Sequence, residues 1–144
     1  MGLLDLFRKK QPPIIKELDA GTLGGLMWSV EEDAWAGSFQ GVEFFVSPDD
    51  SNECPSQNLM AYAESVLSVK AWLLEAVTTE KEKYLTKHPE FRNELQDLQI
   101  CALAFSNHKK KGLYLNCQLG FGAPNRFWSL DFHGRYCSAI GFDS

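Results

Sequence analysis

Residues 35–47 read W-A-G-S-F-Q-G-V-E-F-F-V-S, and this stretch decides the fold class. Side chains alternate across an extended chain, so Trp35, Gly37 and Phe39 share one face and Val42, Phe44 and Val46 share another. Gln40-Gly41 between them has the residue types of a two-residue hairpin turn, which aligns both apolar rows toward one core. Glu43, Phe45 and Ser47 then point the other way and place an aromatic ring, Phe45, on a polar face.

The pattern extends in both directions. Upstream, Thr22 to Val30 reads as a strand that reaches Trp35 through the acidic turn Glu31-Glu32-Asp33. Downstream, Pro48-Asp49-Asp50-Ser51-Asn52 is rich in turn and cap formers, and after Pro55 the apolar period becomes helical. Leu59, Ala63, Val66, Leu67, Leu73, Leu74 and Val77 predict one long helix with this stripe on the core, weakening at Thr78 and Thr79. His88-Pro89 opens a short second helix carrying Phe91 and Leu95.

From Leu98 the alternation of strands returns. Leu98, Ile100, Ala102 and Ala104 fall on one side, and Gln99, Cys101, Leu103 and Phe105 on the other. Lys109 to Gly112 reads as a turn, Leu113 to Leu119 as a returning strand, and Gly120 to Asn125 as a loop. Phe127 to Phe132 leads through His133-Gly134 into a last strand, Arg135 to Phe142. The order β-β-β-α-α-β-β-β-β predicts an α+β fold: an antiparallel sheet built from two meanders flanking a long and a short helix, with the helices on one face.

A chain of 144 residues with 44% hydrophobic and 12% aromatic residues has the composition of one packed domain. It divides into an amphipathic tail with a proline joint, residues 1–13, and a domain over 14–144. In the tail, Leu3, Leu4, Leu6 and Phe7 beside Arg8-Lys9-Lys10 allow at most weak contact with a membrane surface. Gly2 lacks the Ser or Thr that myristoylation requires at position 6, which is Leu6. The net charge of −5 and the shortness of the basic runs 8–10 and 109–111 argue against nucleic acid as a partner. No apolar run approaches the ~20 residues of a transmembrane helix. Cys54, Cys101, Cys117 and Cys137 are widely spaced and fit reduced thiols in a cytoplasm.

Motifs of established chemistry are missing. Gly24-Gly25 and Gly120-Phe121-Gly122 have neither the lysine nor the helix start of a phosphate-binding loop. His88, His108 and His133 form no zinc-ligand spacing, and no cofactor or metal is expected. Cys117 alternates in step with Leu113, Leu115 and Leu119 as a small core residue. The carboxylates of Glu31, Glu32 and Asp33, and of Asp49 and Asp50, occupy turns where acidic residues are ordinary.

The residue pattern points instead to a surface. With Leu113, Leu115 and Cys117 and with Trp128, Leu130 and Phe132 inward, Tyr114, Asn116 and Gln118 face outward beside Phe127, Ser129, Asp131 and His133. Aromatic rings interleaved with hydrogen-bonding groups suit a protein-binding face, which a partner, the tail or a second copy of the chain would cover.

Gly25-Leu26-Met27-Trp28, Trp35-Ala36-Gly37, the alternation after Leu98, Phe127-Trp128-Ser129, Gly134 and the closing Ile140-Gly141-Phe142-Asp143 give the chain a resemblance. It resembles small stand-alone bacterial domains of uncharacterised function, some of which are regarded as immunity proteins of polymorphic toxin systems. The resemblance spans most of residues 20–144 through order and aromatic positions, and it carries over no catalytic residue. It implies a bacterial, cytoplasmic, non-enzymatic binding protein whose acidity complements a basic toxin domain. The expected contact residues are Tyr114, Asn116, Phe127, Asp131, His133, Phe45 and the turn Glu31, Glu32 and Asp33. The alternatives are a small enzyme or ligand-binding domain with a cleft near Asp131, His133 and Cys101, and a self-associating subunit.

Overall fold

The hairpin at the centre of the sequence reading forms as expected. Ala34–Phe39 (β3) pairs antiparallel with Val42–Val46 (β4), with Trp35 opposite Val46, Gly37 opposite Phe44 and Phe39 opposite Val42. Gln40 and Gly41 both take positive φ, 50° and 84°, the combination that fits the right-handed twist of a two-residue turn. The computed structural model describes residues 16–50, 53–108 and 112–143. The predicted tail over residues 1–13, the Ser51-Asn52 part of the cap-rich turn and the basic run 109–111 lie outside the described residues.

Around this hairpin the described strands form one sheet in chain order. Glu17–Asp19 (β1) and Gly25–Ser29 (β2) precede β3, while Ala102–His108 (β5), Gly112–Ala123 (β6), Arg126–His133 (β7) and Tyr136–Asp143 (β8) follow β4. Every neighbouring pair is antiparallel except β4 and β5, which run parallel because the helical segment carries the chain back between them. The fold is α+β, with both meanders fused into a single eight-stranded sheet.

Five element assignments are corrected, among them the strand read from Leu98, which begins at Ala102. The predicted strand Thr22 to Val30 is shorter: Gly21–Leu23 is a 3-10 turn that buries Leu23, and the strand starts at Gly25. Strand β1 before it was not anticipated, because three residues of sequence E-L-D carry no alternating apolar signal. The predicted loop Gly120 to Asn125 is mostly strand, since β6 runs on to Ala123 through two register shifts. Gly120 takes a φ of 98° there, and a glycine that reads as loop chemistry serves as a bulge.

The single long helix is two helices, Gln57–Ser68 (α1) and Lys70–Lys87 (α2), meeting at Val69 with φ −116° and ψ 61°. Held straight, this span would be about 45 Å long, against roughly 34 Å for eight strands at 4.8 Å spacing. The change of direction lets α1 pack on β4, β5 and β6 while α2 reaches β8. Leu74, assigned to the core stripe, is instead 49% exposed. Pro89–Phe91 is a 3-10 turn running into the short helix Arg92–Leu95 (α3), as the His88-Pro89 step predicts.

One core lies between the helices and one face of the sheet. Trp35, Phe44, Phe105, Trp128 and Phe132 are each at most 1% exposed and meet Leu59, Val66, Leu73 and Leu85 from the helices. Burying aromatic rings of this size supplies most of the hydrophobic driving force, at about 25 cal/mol per Å² of apolar area removed from water. No helix of the described residues is long and apolar enough to cross a membrane.

Candidate functional site

The register fixes which side chains share the face away from the helices. Met27, Ala36, Phe45, Ala104, Asn116, Asp131 and Ala139 form one continuous row across seven strands, each the cross-strand partner of the next. A neighbouring row holds Ser106, Tyr114, His133 and Tyr136, and another holds Glu43, Ala102, Gln118, Ser129 and Gly141. Small residues therefore floor much of this face, with the larger polar and aromatic groups gathered on β6 and β7.

There the side chains are locked together. The Tyr114 hydroxyl donates to Asp131 Oδ1 at 2.5 Å, and Asn116 Nδ2 donates to the same oxygen at 2.9 Å. Two donors on one oxygen hold the carboxylate in place, and among the described residues Oδ2 accepts no hydrogen bond. His133 lies over Tyr114 with ring centroids 5.3 Å apart and meets His108 edge-on at 5.7 Å. Beside Asp131 opens a hollow of about 290 Å³, bounded by Tyr114, Asn116, Ser129, Asp131 and strand β8 from Ala139 to Asp143. Phe127 pairs edge-on with Phe121 at 5.1 Å on the same face, and Phe121 is 67% exposed.

The structure thus brings Tyr114, Asn116, Asp131, His133 and Phe127 onto one patch of β6 and β7. Phe45 joins the same face two strands away. The turn carrying Glu31, Glu32 and Asp33 follows β2, four to five strand spacings or roughly 19–24 Å from the patch, and forms a separate acidic feature. Cys101 does not meet His133: it sits near Gly120, while His133 pairs with Tyr114 six residues along β6, roughly 20 Å away. Burial also pushes the Cys101 thiol up, away from the thiolate a nucleophile needs.

Sequence reasoning missed Phe121, hidden in the supposed loop, and the small residues Ala139 and Gly141 that bound the hollow. It also missed a polar clamp on the opposite face. Glu94 of α3 accepts Arg126 Nε at 3.1 Å and Nη2 at 2.5 Å, and also accepts the Trp128 indole N–H. Arg126 lies over the rings of Phe91 and Phe142, at 5.5 and 5.7 Å from their centroids. Three donors from two side chains hold this largely buried carboxylate and tie α3 to β7, so the clamp is structural.

A second hollow, about 560 Å³, lies between α2, the β3–β4 turn and residues 96–100. Lys81 occupies the core-facing stripe there, four residues from both Val77 and Leu85, and donates to the Gln96 and Leu98 carbonyls at 3.0 and 2.8 Å. Desolvation lowers its pKa, but its ammonium already ties α2 to the chain leaving α3, a structural use. Among the described residues no three His, Cys, Asp or Glu side chains converge on a metal position.

Tyr114 has its pKa pushed up to about 12, first by burial and then by its bond to Asp131, and Tyr62 is also pushed to about 12 by burial. Tyr62 donates to the Gly134 carbonyl at 2.6 Å, tying α1 to the β7–β8 turn. Both pKa values are raised above the unfolded value of 10.0, so the native state keeps two protons that the unfolded chain loses. Their stabilising contribution is complete below pH 10 and is lost as pH rises toward 12. Urea melts taken across that window should show stability falling, with a shallower fall in Tyr114→Phe; an unchanged slope in that variant would remove Tyr114 from the account.

No family model, curated protein or solved structure matches this chain, and the site rests on its own geometry.

Proposed function

We propose that the chain is a non-enzymatic protein-binding domain that meets its partner through the helix-free face of the sheet, around Tyr114, Asn116, Phe127, Asp131 and His133. One observation carries the reading: an Asp131 carboxylate held by two donors, with one oxygen open, on the same sheet face as exposed Phe121 and its half-buried partner Phe127. A rigid aromatic anchor next to a pre-positioned charge is the arrangement that concentrates binding energy in protein interfaces. The resemblance to bacterial immunity domains and the net charge of −5 favour a basic toxin domain as the partner. The four unpaired thiols support a reducing compartment such as a bacterial cytoplasm.

The small-ligand alternative has less support, because the hollow beside Asp131 lies on the open face of the sheet, whereas most ligand sites are concave clefts that enclose the ligand. The test is affinity capture with tagged protein from the native cell, comparing wild type with Tyr114→Ala/Phe127→Ala. Removal of two central aromatic anchors should weaken a stoichiometric protein partner by about 2 kcal/mol or more, near 30-fold, measured at a temperature where circular dichroism shows both proteins folded, because losing the Tyr114–Asp131 bond also lowers the melting temperature. Equal recovery by the folded double variant would count against this face.

A further inference from the structure

We infer that strand β8 accepts an extended basic segment of the partner as a ninth strand, and that a lysine or arginine of that segment crosses Ala139 and Gly141 to pair with Asp131. The inference deepens the proposed function, on which it rests, by naming the chemistry of the partner.

Three observations meet at β8. The first is the edge itself. Tyr136–Asp143 ends the sheet, and among the described residues no strand pairs with its outer side. Exposed edges are ordinarily blunted by shortness, charge, proline, bulges or a covering element. The edge at β1 is only three residues long. In contrast, β8 has eight residues with neither Lys nor Pro, and its one irregularity is the register shift at Ser138.

The second observation is a glycine without a structural reason. Gly141 is not among the residues of positive φ, and a Cβ built on it would meet nothing within 4 Å. A glycine inside a strand is less stable than an alanine there because it loses more chain entropy on folding, so neither backbone nor packing explains it. Its effect is to leave space: Gly141 faces Ser129 and Ala139 faces Asp131, and together they form the low wall of the hollow beside Asp131.

The third is charge. Asp131 has an oxygen without a donor, and Asp143 adds a second carboxylate at the rim. Neither carries an ion pair among the described residues. The nearby guanidinium of Arg126 is bound to Glu94, and that of Arg135 stacks on Trp72 at 4.1 Å. A ninth strand would lie two spacings from β7, about 9.6 Å, a span that an aspartate and a long basic side chain bridge between them when the intervening residues are small. Main-chain bonds to the edge would supply affinity, and this charge pair would supply specificity.

The experiment is an NMR titration of the full-length protein with the peptide acetyl-Thr-Thr-Val-Arg-Val-Thr-Thr-amide and with its counterpart carrying Glu in place of Arg. The arginine peptide should slow amide exchange along β8 and shift the Asp131 and Tyr114 resonances, with the glutamate peptide at least tenfold weaker. A Cβ at Gly141 meets nothing within 4 Å, so Gly141→Leu extends into the hollow and should fold as well as wild type, checked by its urea melt, yet bind at least tenfold more weakly. Asp131→Asn should lose a similar factor.

Absence of β8 protection at saturating solubility of the peptide, equal binding of both peptides, or wild-type affinity in Gly141→Leu and Asp131→Asn would each overturn the inference. So would a dimer in light scattering, without peptide, in which β8 amides are already protected, since the occupant would then be a second copy. If a captured partner is lost by Tyr114→Ala/Phe127→Ala yet kept by Gly141→Leu, the face is right and the ninth strand is wrong.

Discussion

Glu94→Ala should destabilise the protein by about 3 kcal/mol, shifting the urea midpoint without abolishing the fold. Glu94 is 11% exposed at its side chain, and it answers three donor groups: two guanidinium nitrogens of Arg126 and the indole N–H of Trp128. Taking the carboxylate away leaves a cation and a buried donor without partners, and breaking a buried pair typically costs about 3–5 kcal/mol. The expected value sits at the low end because Arg126 is 38% exposed and water can reach it. A second variant separates pairing from burial. In Glu94→Leu/Arg126→Leu both charges vanish, and the loss should be clearly smaller than for Glu94→Ala, because replacing a buried pair by apolar groups is often neutral. A cost below about 1 kcal/mol for Glu94→Ala would place the pair with ordinary surface ion pairs.

The legibility of this fold follows the range of the interactions. Alternation is local, and it correctly placed Trp35, Phe44, Leu115, Trp128 and Phe132 on the core side. The outward set on β6 and β7 followed by the same rule, and Tyr114, Asn116, Asp131 and His133 do share one patch. Glycines misled where their role was not a loop: Gly120 continues a strand through a bulge, and the supposed loop around it hid the exposed Phe121. The break at Val69 has no proline or glycine to announce it, and it answers to the width of the sheet, a property of the assembled molecule. Distance along the sheet was equally invisible. The acidic turn 31–33 and Cys101 looked like companions of Asp131 and His133 until strand order separated them. The Glu94 clamp joins positions about thirty residues apart and had no periodic signal at all.

Gly37→Val is expected to cost about 3 kcal/mol and to lower the melting temperature by about 10 °C. Gly37 has no positive φ, so its backbone would tolerate any residue and the reason for glycine is space. A Cβ there would stand 2.7 Å from both Leu26 Cδ2 and Phe44 Cζ. Phe44 is the cross-strand partner of Gly37 and is fully buried, and its ring covers the glycine against Leu26, which is itself 1% exposed. Neither side chain has solvent to move into, so the added methyls must displace the core around Trp35. Valine's preference for strands works in the opposite direction by at most about 1 kcal/mol, too little to change the sign. Shortening the ring should test the cause. In Gly37→Val/Phe44→Leu the smaller side chain withdraws the ring atoms that the valine meets and relieves part of the overpacking, and the double variant should be more stable than the sum of its single variants by about 1–2 kcal/mol. Strict additivity between these touching residues would mean that valine harms the strand by some route other than contact with Phe44.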